Sequence, residues 1–335
     1  MEAKSFRGVM KRFFLLVVIF SFAFCFAKEI RFVSWNVETF FDGEKNGNEY
    51  SEFLKPDKWD EGSYKKRLKK LCEALKILDA DVCVLLEIEN KEILYDISNQ
   101  MQDLSWKRNK MYKFSSFAKN EGSSIGSAVL SRFEIRNFSI HNVDAKVSGS
   151  QPSMRPVLKT VIGDGIFELN LYVNHWKSMS GGEEKSEIWR NWQESVLAGL
   201  VEDDIQIGKK NIVACGDFNR DVLKFYLEKA YTPSFVKLRH FVNANGEYDF
   251  DVNVKSCWFD ENGNLLEPGS YYFRNDWSRI DNIFFTGEIE VKDFCALQNE
   301  LWCTEEGLPD KYKIYSGSGF SDHLPLVCTL NISEN

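Results

Sequence analysis

Short apolar runs that stop abruptly on polar residues recur along this chain, and their period sets the elements it should form. Residues 30–37 (IRFVSWNV) and 80–88 (ADVCVLLEI) have the length and β-forming content of strands; the second is apolar at successive positions, as a strand buried on both faces requires. Residues 64–78 place Leu68, Leu71, Leu75 and Leu78 on one stripe, and residues 91–104 do the same with Ile93, Leu94, Ile97 and Met101. Both stretches therefore predict amphipathic helices. From Ser124 the pattern turns into successive strands, over 125–131, near Phe138, over 156–162 and over 167–176. A third helix is expected over 187–201 with Ile188, Trp192, Val196 and Leu200 inward, leading to a short strand, 212–215, that stops on Gly216-Asp217-Phe218-Asn219. Residues 231–278 read as aromatic and turn-rich, and strands over 279–285 and 324–332 close the chain.

No Pro/Gly/Ser-rich linker, charge block or internal repeat divides residues 28–335, which are read as one domain. An apolar fraction of 44% with 27% charged residues is that of a soluble globular protein able to bury a sizeable core. The first 27 residues differ. Lys4, Arg7, Lys11 and Arg12 precede an apolar run over 13–26 that closes on Ala27, the outline of a secretory signal and short for a membrane span. Export to the periplasm or the exterior is the expectation, with cleavage after Ala27. An uncleaved anchor and a lipid attached at Cys25 are the alternatives, although Phe24 is bulky for the second. Four of the 42 basic and one of the 50 acidic residues lie in this leader, so the rest carries 38 against 49, a net charge of −11. An acidic chain is no general nucleic-acid coat, but it can hold a local basic cleft or use divalent cations against phosphates. Seven cysteines follow the leader, an odd number that cannot all pair. Cys83, Cys215 and Cys328 sit in apolar runs as small hydrophobes, while Cys295 and Cys303 are close enough in sequence for a local bridge.

Side chains alternate along a strand, so Asp217 and Asn219 leave residues 212–215 on one side, with Phe218 on the other. Gly216 would let another group approach the backbone closely, as a bound oxyanion or metal cluster needs. Asp and Asn are also ordinary turn residues; recurrence is what favours a site. Asn36 and Glu38 end one strand, and Glu87 ends another. His175 continues the apolar face of 167–173 into the polar loop 177–182, Asp281 lies in RIDNIFF, and Asp322 and His323 precede the last strand. Glu87, at the end of a buried run, requires a cation or a hydrogen-bonding partner. Ser321, Asp322 and His323 cannot form a hydrolase triad, because three consecutive residues cannot direct their side chains at one another in the required relay. Carboxylate and amide oxygens suit Mg²⁺, with Mn²⁺ or Ca²⁺ as alternatives, better than zinc. Two histidines beside such a metal can protonate a leaving group and stabilise an oxyanion, the needs of phosphodiester hydrolysis. Lys65, Lys66, Arg67, Lys69 and Lys70 are assigned to the solvated side of the first helix, with phosphate binding as the alternative. Arg132, Arg155 and Lys177 lie at strand edges or in loops near these residues.

Six stretches in order, SWNVE, LLEIEN, VNHWKS, GDFN, RIDNIFF and SDHLP, make the chain resemble the endonuclease/exonuclease/phosphatase superfamily from residue 30 to residue 330. The resemblance implies an α/β fold, a four-layer αββα sandwich of two mixed β-sheets face to face with helices outside. It makes residues 28–335 a catalytic domain for metal-dependent phosphoric ester hydrolysis. Glu87 would be the principal metal ligand, with Asn36, Glu38 and Asp322 contributing and Asn36 also contacting phosphate. Asp217 would position or activate the attacking water and Asn219 would bind the phosphate. His175 would be an acid for the leaving oxygen, Asp322 would orient His323, and Asp281 would be a further acidic catalytic residue. Apart from the resemblance, Arg155 and Lys177 are expected to meet substrate from their charge and their place at a strand edge and in a loop. The chain departs from the family pattern at Arg220, where relatives often carry an acid, and at Glu38, where apurinic endonucleases use Asp. For the tyrosine those enzymes place at the phosphate, Tyr172 and Tyr271 are the candidates. An exported nuclease acting on DNA or RNA as a monomer without an obligate protein partner, its membrane contact confined to the leader, is the resulting expectation. A sphingomyelinase-like or inositol phosphate hydrolase, for which Tyr271-Tyr272-Phe273 and Trp277 would be a membrane hairpin, is the first alternative, and an inactive exported binding protein the second.

Overall fold

The computed structural model of the protein describes residues 27–144, 151–226, 235–241 and 247–334; residues 1–26 of the expected leader lie outside them. In chain order, β1 (Lys28–Phe40) is followed by α1 (Glu61–Leu78), β2 (Val82–Ile88), α2 (Glu92–Asp103), β3 (Phe114–Ala118), β4 (Gly126–Ser131) and β5 (Ile135–His141). Then come β6 (Val157–Gly163), β7 (Glu168–His175), α3 (Glu183–Gln206), β8 (Ile212–Asp217), β9 (Phe235–Phe241) and β10 (Tyr248–Ser256). A short hairpin of β11 (Tyr271–Phe273) and β12 (Asp276–Ser278) precedes β13 (Asp281–Thr286), β14 (Glu290–Ala296) and β15 (Leu326–Ile332).

Six strands form one sheet in the order β14-β15-β1-β2-β4-β3 and seven form the other in the order β5-β6-β7-β8-β13-β10-β9. Each sheet holds one parallel pair, β1 with β2 and β7 with β8. Parallel neighbours need a crossover, and here a helix supplies it in both cases, α1 between β1 and β2 and α3 between β7 and β8. The sheets pack face to face, β1 and β2 against β8 and β15 against β13. Strands covered on both sides must be apolar at every position, and β2 from Val82 to Leu86 and β8 throughout are fully buried. Helices α1 and α2 pack on each other beside the first sheet, while α3 lies on β9 and β10 of the second, so the expected four-layer sandwich is the one found.

Four local expectations need correction. The buried face of α3 is Ser186, Arg190, Gln193, Glu194, Ser195, Leu197, Ala198, Val201 and Asp204, whereas Ile188 is exposed and Trp192, Val196 and Leu200 are only half-buried. An apolar stripe misses this face because it is held by charge: Arg190 pairs with Glu187 at 2.6 Å, Arg220 with Glu194, and Lys159 with Asp204 at 2.6 Å. Arg67 is not on the solvated side of α1 but buried, donating to the carbonyls of Val37, Glu38 and Thr39. Within the stretch read as turns, β9 and β10 form the sheet edge, with Val252 and Val254 buried on either side of exposed Asn253. Cys295 and Cys303 are free thiols rather than a bridge.

Candidate active site

The C-terminal ends of both parallel pairs open on one cleft, of about 540 Å³. In the second sheet the register sets His175 opposite Asp217 and Asp217 opposite Asp281, so three adjacent strands present a row of polar side chains. Paired positions on neighbouring strands share a face, which is why the row converges. From the first sheet, β1 delivers Asn36, whose amide donates to Glu87 Oε1 at 3.1 Å and to Asp217 Oδ2 at 3.3 Å, joining the two halves.

The backbone around this junction is strained. Glu38, Thr39, Glu87 and Asn219 all have positive φ, at 52°, 42°, 67° and 47°, a conformation that non-glycine residues hold only when their surroundings impose it. Those surroundings are visible. Glu87 Oε2 accepts from Thr39 N at 2.7 Å, Asn36 Oδ1 accepts from Glu38 N at 3.0 Å, and the buried Arg67 guanidinium gathers the three carbonyls of residues 37–39. On the other side Asp217 Oδ1 accepts from Asn219 N at 2.8 Å, and Asn219 donates to the Trp176 carbonyl at 3.2 Å, where Arg155 also donates at 3.1 Å. Gly216 has φ +128°, and a Cβ there would lie 1.9 Å from the Asn174 carbonyl oxygen. The close approach that its bareness allows is therefore by the neighbouring strand, not by a ligand.

The two histidines sit in opposite electrostatic settings. His323 Nδ1 bonds Asp281 Oδ2 at 2.8 Å, and Asp281 also accepts from Ser270 Oγ at 2.7 Å. Burial opposes a charge on His323, but Asp281, then Asp322 and Asp217, outweigh it and carry its pKa well above the ordinary value. His175 is held well below it by burial, helped by Arg155 and His323. Its Nε2 lies 3.6 Å from Asp217 Oδ2 and 3.8 Å from Glu87 Oε1, while its buried Nδ1 has no partner. Burial and the facing Asp281 push the Asp217 carboxyl up to about 7.

A divalent cation fits one part of this arrangement. Among the described residues Glu87 and Asp217 form ion pairs only with His175, which burial keeps neutral, so their carboxylate oxygens make a hard donor set; the Asn36 amide, expected as a ligand, turns its NH₂ to both and its oxygen to Glu38 N, so it orients the carboxylates instead. Asp217, Asp281 and His323 also lie within 4.8 Å of one another. There, however, the Asp281–His323 hydrogen bond already occupies a donor atom of each. Glu38 and Asp322, expected as ligands, line the cleft but share Lys311, whose Nζ is 3.0 Å from Glu38 Oε1 and 3.4 Å from Asp322 Oδ2.

Of the residues expected from sequence, Asn36, Glu38, Glu87, His175, Asp217, Asn219, Asp281, Asp322 and His323 come together here, with Arg155 at the rim. Two roles change. Asp281, not Asp322, orients His323, because Asp322 reaches only Nε2, at 3.8 Å. Lys177 lines an adjoining depression of about 300 Å³, with Lys185 and Trp189, rather than the cleft itself. Arg132 is elsewhere and engaged, pairing with Asp79 and Asp81. Tyr172 is buried with its hydroxyl on Asp204, whereas the Tyr271 ring lies 4.7 Å from the His323 ring. Sequence missed Lys311 and Tyr50, which line the cleft, and Ser270, which donates to Asp281. No period surrounds Lys311 or Tyr50; Ser270 sits in a stretch read only as turns.

A family model described as Endonuclease/Exonuclease/phosphatase family matches residues 31–299. Among curated protein sequences, none matches. Solved structures similar in fold include truncated TDP2 of Caenorhabditis elegans, at 14% identity and TM-score 0.55, covering 90% of this chain and 97% of that one. The human Nocturnin catalytic domain with bound sulfate is 15% identical at TM-score 0.55, with coverage of 91% and 95%. ANGEL2, a 2′,3′-cyclic phosphatase solved with adenosine-2′,3′-vanadate, is 15% identical at TM-score 0.55, with coverage of 91% and 96%.

Proposed function

This chain belongs to the endonuclease/exonuclease/phosphatase family, and on that footing we propose that it is an exported, divalent-metal-dependent phosphodiesterase that hydrolyses DNA or RNA. The observation that carries the reading is the convergence, from both sheets, of Asn36, Glu87, His175, Asp217, Asp281 and His323 on one cleft with Arg155 at its rim. A cation held by Glu87, whose carboxylate Asn36 orients, would supply Lewis-acid polarisation of a phosphoryl oxygen and neutralise its charge. The chain's own groups divide the remaining work. Asp217, with a carboxyl near 7, is matched to accepting a proton from an attacking water at neutral pH. Asn219 is fixed through its backbone to Asp217 and through its amide to Trp176, which positions it to hold a phosphate oxygen. His323, charged and locked by Asp281, presents a cationic donor to the phosphoryl or leaving oxygen. His175, kept neutral with Nε2 facing Asp217 Oδ2 at 3.6 Å and Glu87 Oε1 at 3.8 Å, serves to position these carboxylates rather than as the acid.

The mature chain incubated with Mg²⁺ and, in parallel, plasmid DNA, RNA, sphingomyelin and inositol phosphates tests the reading. Nucleic-acid cleavage lost on chelation and restored by metal is expected; full activity after exhaustive chelation ends the metal-dependent proposal. One observation favours a second reading, a phospholipid or inositol phosphate hydrolase: Phe273 of the β11–β12 hairpin is 55% exposed at the cleft, with Arg274 stacked on it. Turnover of sphingomyelin or inositol phosphate without nucleic-acid cleavage would select it. Export rests on the leader, and action as a monomer without a protein partner is part of the same proposal.

A further inference from the structure

Two of the carboxylates in the cleft already have a cation, and it belongs to the chain. Lys311 Nζ lies between Glu38 Oε1 and Asp322 Oδ2, and its side chain remains 64% exposed toward the cleft. Its place is built rather than incidental. The next residue, Tyr312, donates its N–H to the other oxygen of Glu38 at 3.1 Å, and the Tyr312 ring lies 3.7 Å from the buried Arg67 guanidinium. Around it the chain folds back on itself, Phe320 N donating to Asp310 O at 2.5 Å and Lys313 N to Ser318 O at 2.8 Å. Gly319, at φ +76°, packs so closely that a Cβ would stand 2.0 Å from the Lys311 carbonyl oxygen. Lys313 is occupied by Asp310, which leaves Lys311 the ammonium aimed at the site.

Glu38 and Asp322 are thus bridged by an ammonium, whereas Glu87 forms no ion pair with a lysine or arginine among the described residues. We infer that Lys311 stands in for a second divalent ion: the protein binds one divalent cation, at the Glu87 carboxylate, and Lys311 supplies fixed positive charge to the substrate phosphate from the Glu38–Asp322 side. Removing the ammonium leaves the Glu38 and Asp322 carboxylates facing one point with no cation between them, where they repel each other and attract a metal ion. An ammonium is a compact point charge on a flexible stem, suited to follow a phosphate oxygen while its partners stay in place.

The phosphate contact rests on the phosphodiesterase reading; the metal count does not, and the two are measured separately. Mn²⁺ binding, followed by loss of the free-ion electron paramagnetic resonance signal, should give one ion per parent chain, lost in Glu87→Gln and retained in Glu38→Gln. Lys311→Met, which keeps bulk without charge, should gain a second, weaker ion, and the added change Glu38→Gln should remove it. Two ions on the parent, with one lost in Glu38→Gln, overturn the inference; so does a Lys311→Met chain that still binds one. Far-ultraviolet circular dichroism checks that each variant is folded. With whichever phosphodiester the parent turns over, Lys311→Met should lose about a hundredfold in kcat, with part recovered by raising Mg²⁺ and part by Lys311→Arg. Unchanged turnover in Lys311→Met removes the substrate contact even if the metal count holds.

Discussion

His323 shows how far single residues can be read before their neighbours are known. The family resemblance implies that Asp322 orients it, but Asp322 reaches only Nε2, at 3.8 Å, and the partner of Nδ1 comes from β13, 42 residues away, as Asp281. Asp281 itself was legible as a polar residue in an apolar strand; its register opposite Asp217 was not, because strand pairing is a tertiary property. Asn36, Glu87, Asp217 and Asn219 were recoverable because each interrupts or ends an apolar run. Lys311, in an irregular segment without period, gave no comparable signal. The pairing leads to a pH prediction. Asp281 is the largest influence raising the His323 pKa, so Asp281→Asn should let that pKa fall and move the alkaline limb of kcat/KM to lower pH, with kcat down about a hundredfold. An alkaline limb that stays where the parent has it would mean that His323 is not the group titrating there.

At the scale of elements, what the sequence conveys is the apolar half of each contact. Strands β2 and β8 and helices α1 and α2 were legible because burial and period agree, whereas the inner face of α3 was not, because its contacts are ion pairs and amides. A second buried charge joins α1 to the first sheet. Arg132, 8% exposed, donates to Asp79 Oδ1 at 2.6 Å, Asp81 Oδ1 at 3.0 Å and the Lys110 carbonyl at 3.0 Å, fixing the turn that ends α1. Arg132→Ala should cost about 2–3 kcal/mol, read by chemical unfolding, since it takes the donor from four acceptors at once, the Asp79 carbonyl included. Its effect carries a pH signature. Burial would raise the Asp79 pKa, but Lys110 and Arg132 bring it below the ordinary 3.8. A lowered folded pKa contributes stability above the unfolded value and loses it as pH falls further, so the part of acid unfolding below pH 3.8 should shrink in the variant. The β7–β8 contact makes a sharper claim. Gly216→Ala places a methyl against the Asn174 carbonyl and should destabilise by about 2–4 kcal/mol; a change within 0.5 kcal/mol would show that the strands part easily there.

On the whole molecule, each sheet contributes one strand–helix–strand unit whose carboxyl ends face the same cleft, the place where open α/β sheets bind ligands. That symmetry explains why motifs spread from residue 36 to residue 323 form one site, and why a sequence reading of strand ends could find most of it. The global charge points the other way. With a net −11 after the leader, the molecule's overall field repels a polyanion, so any hold on nucleic acid must come from a few local cations. Arg155 and Lys311 stand in the cleft, and Lys177 and Lys185 line the depression beside it. Each phosphate neutralised on duplex DNA contributes a slope of about −0.9 in log affinity against log salt, so two to four contacts predict a slope on the order of −2 to −4. Arg155→Ala should reduce that slope by about one unit while weakening binding to all sequences alike, as a phosphate contact does. Duplex binding by an Asp217→Asn trap in Ca²⁺, measured across a salt series, reads the slope directly. A slope near zero, or no binding at low salt from a folded trap, would leave these cations without a polyanion to meet and the exposed Phe273 hairpin as the better guide to the substrate.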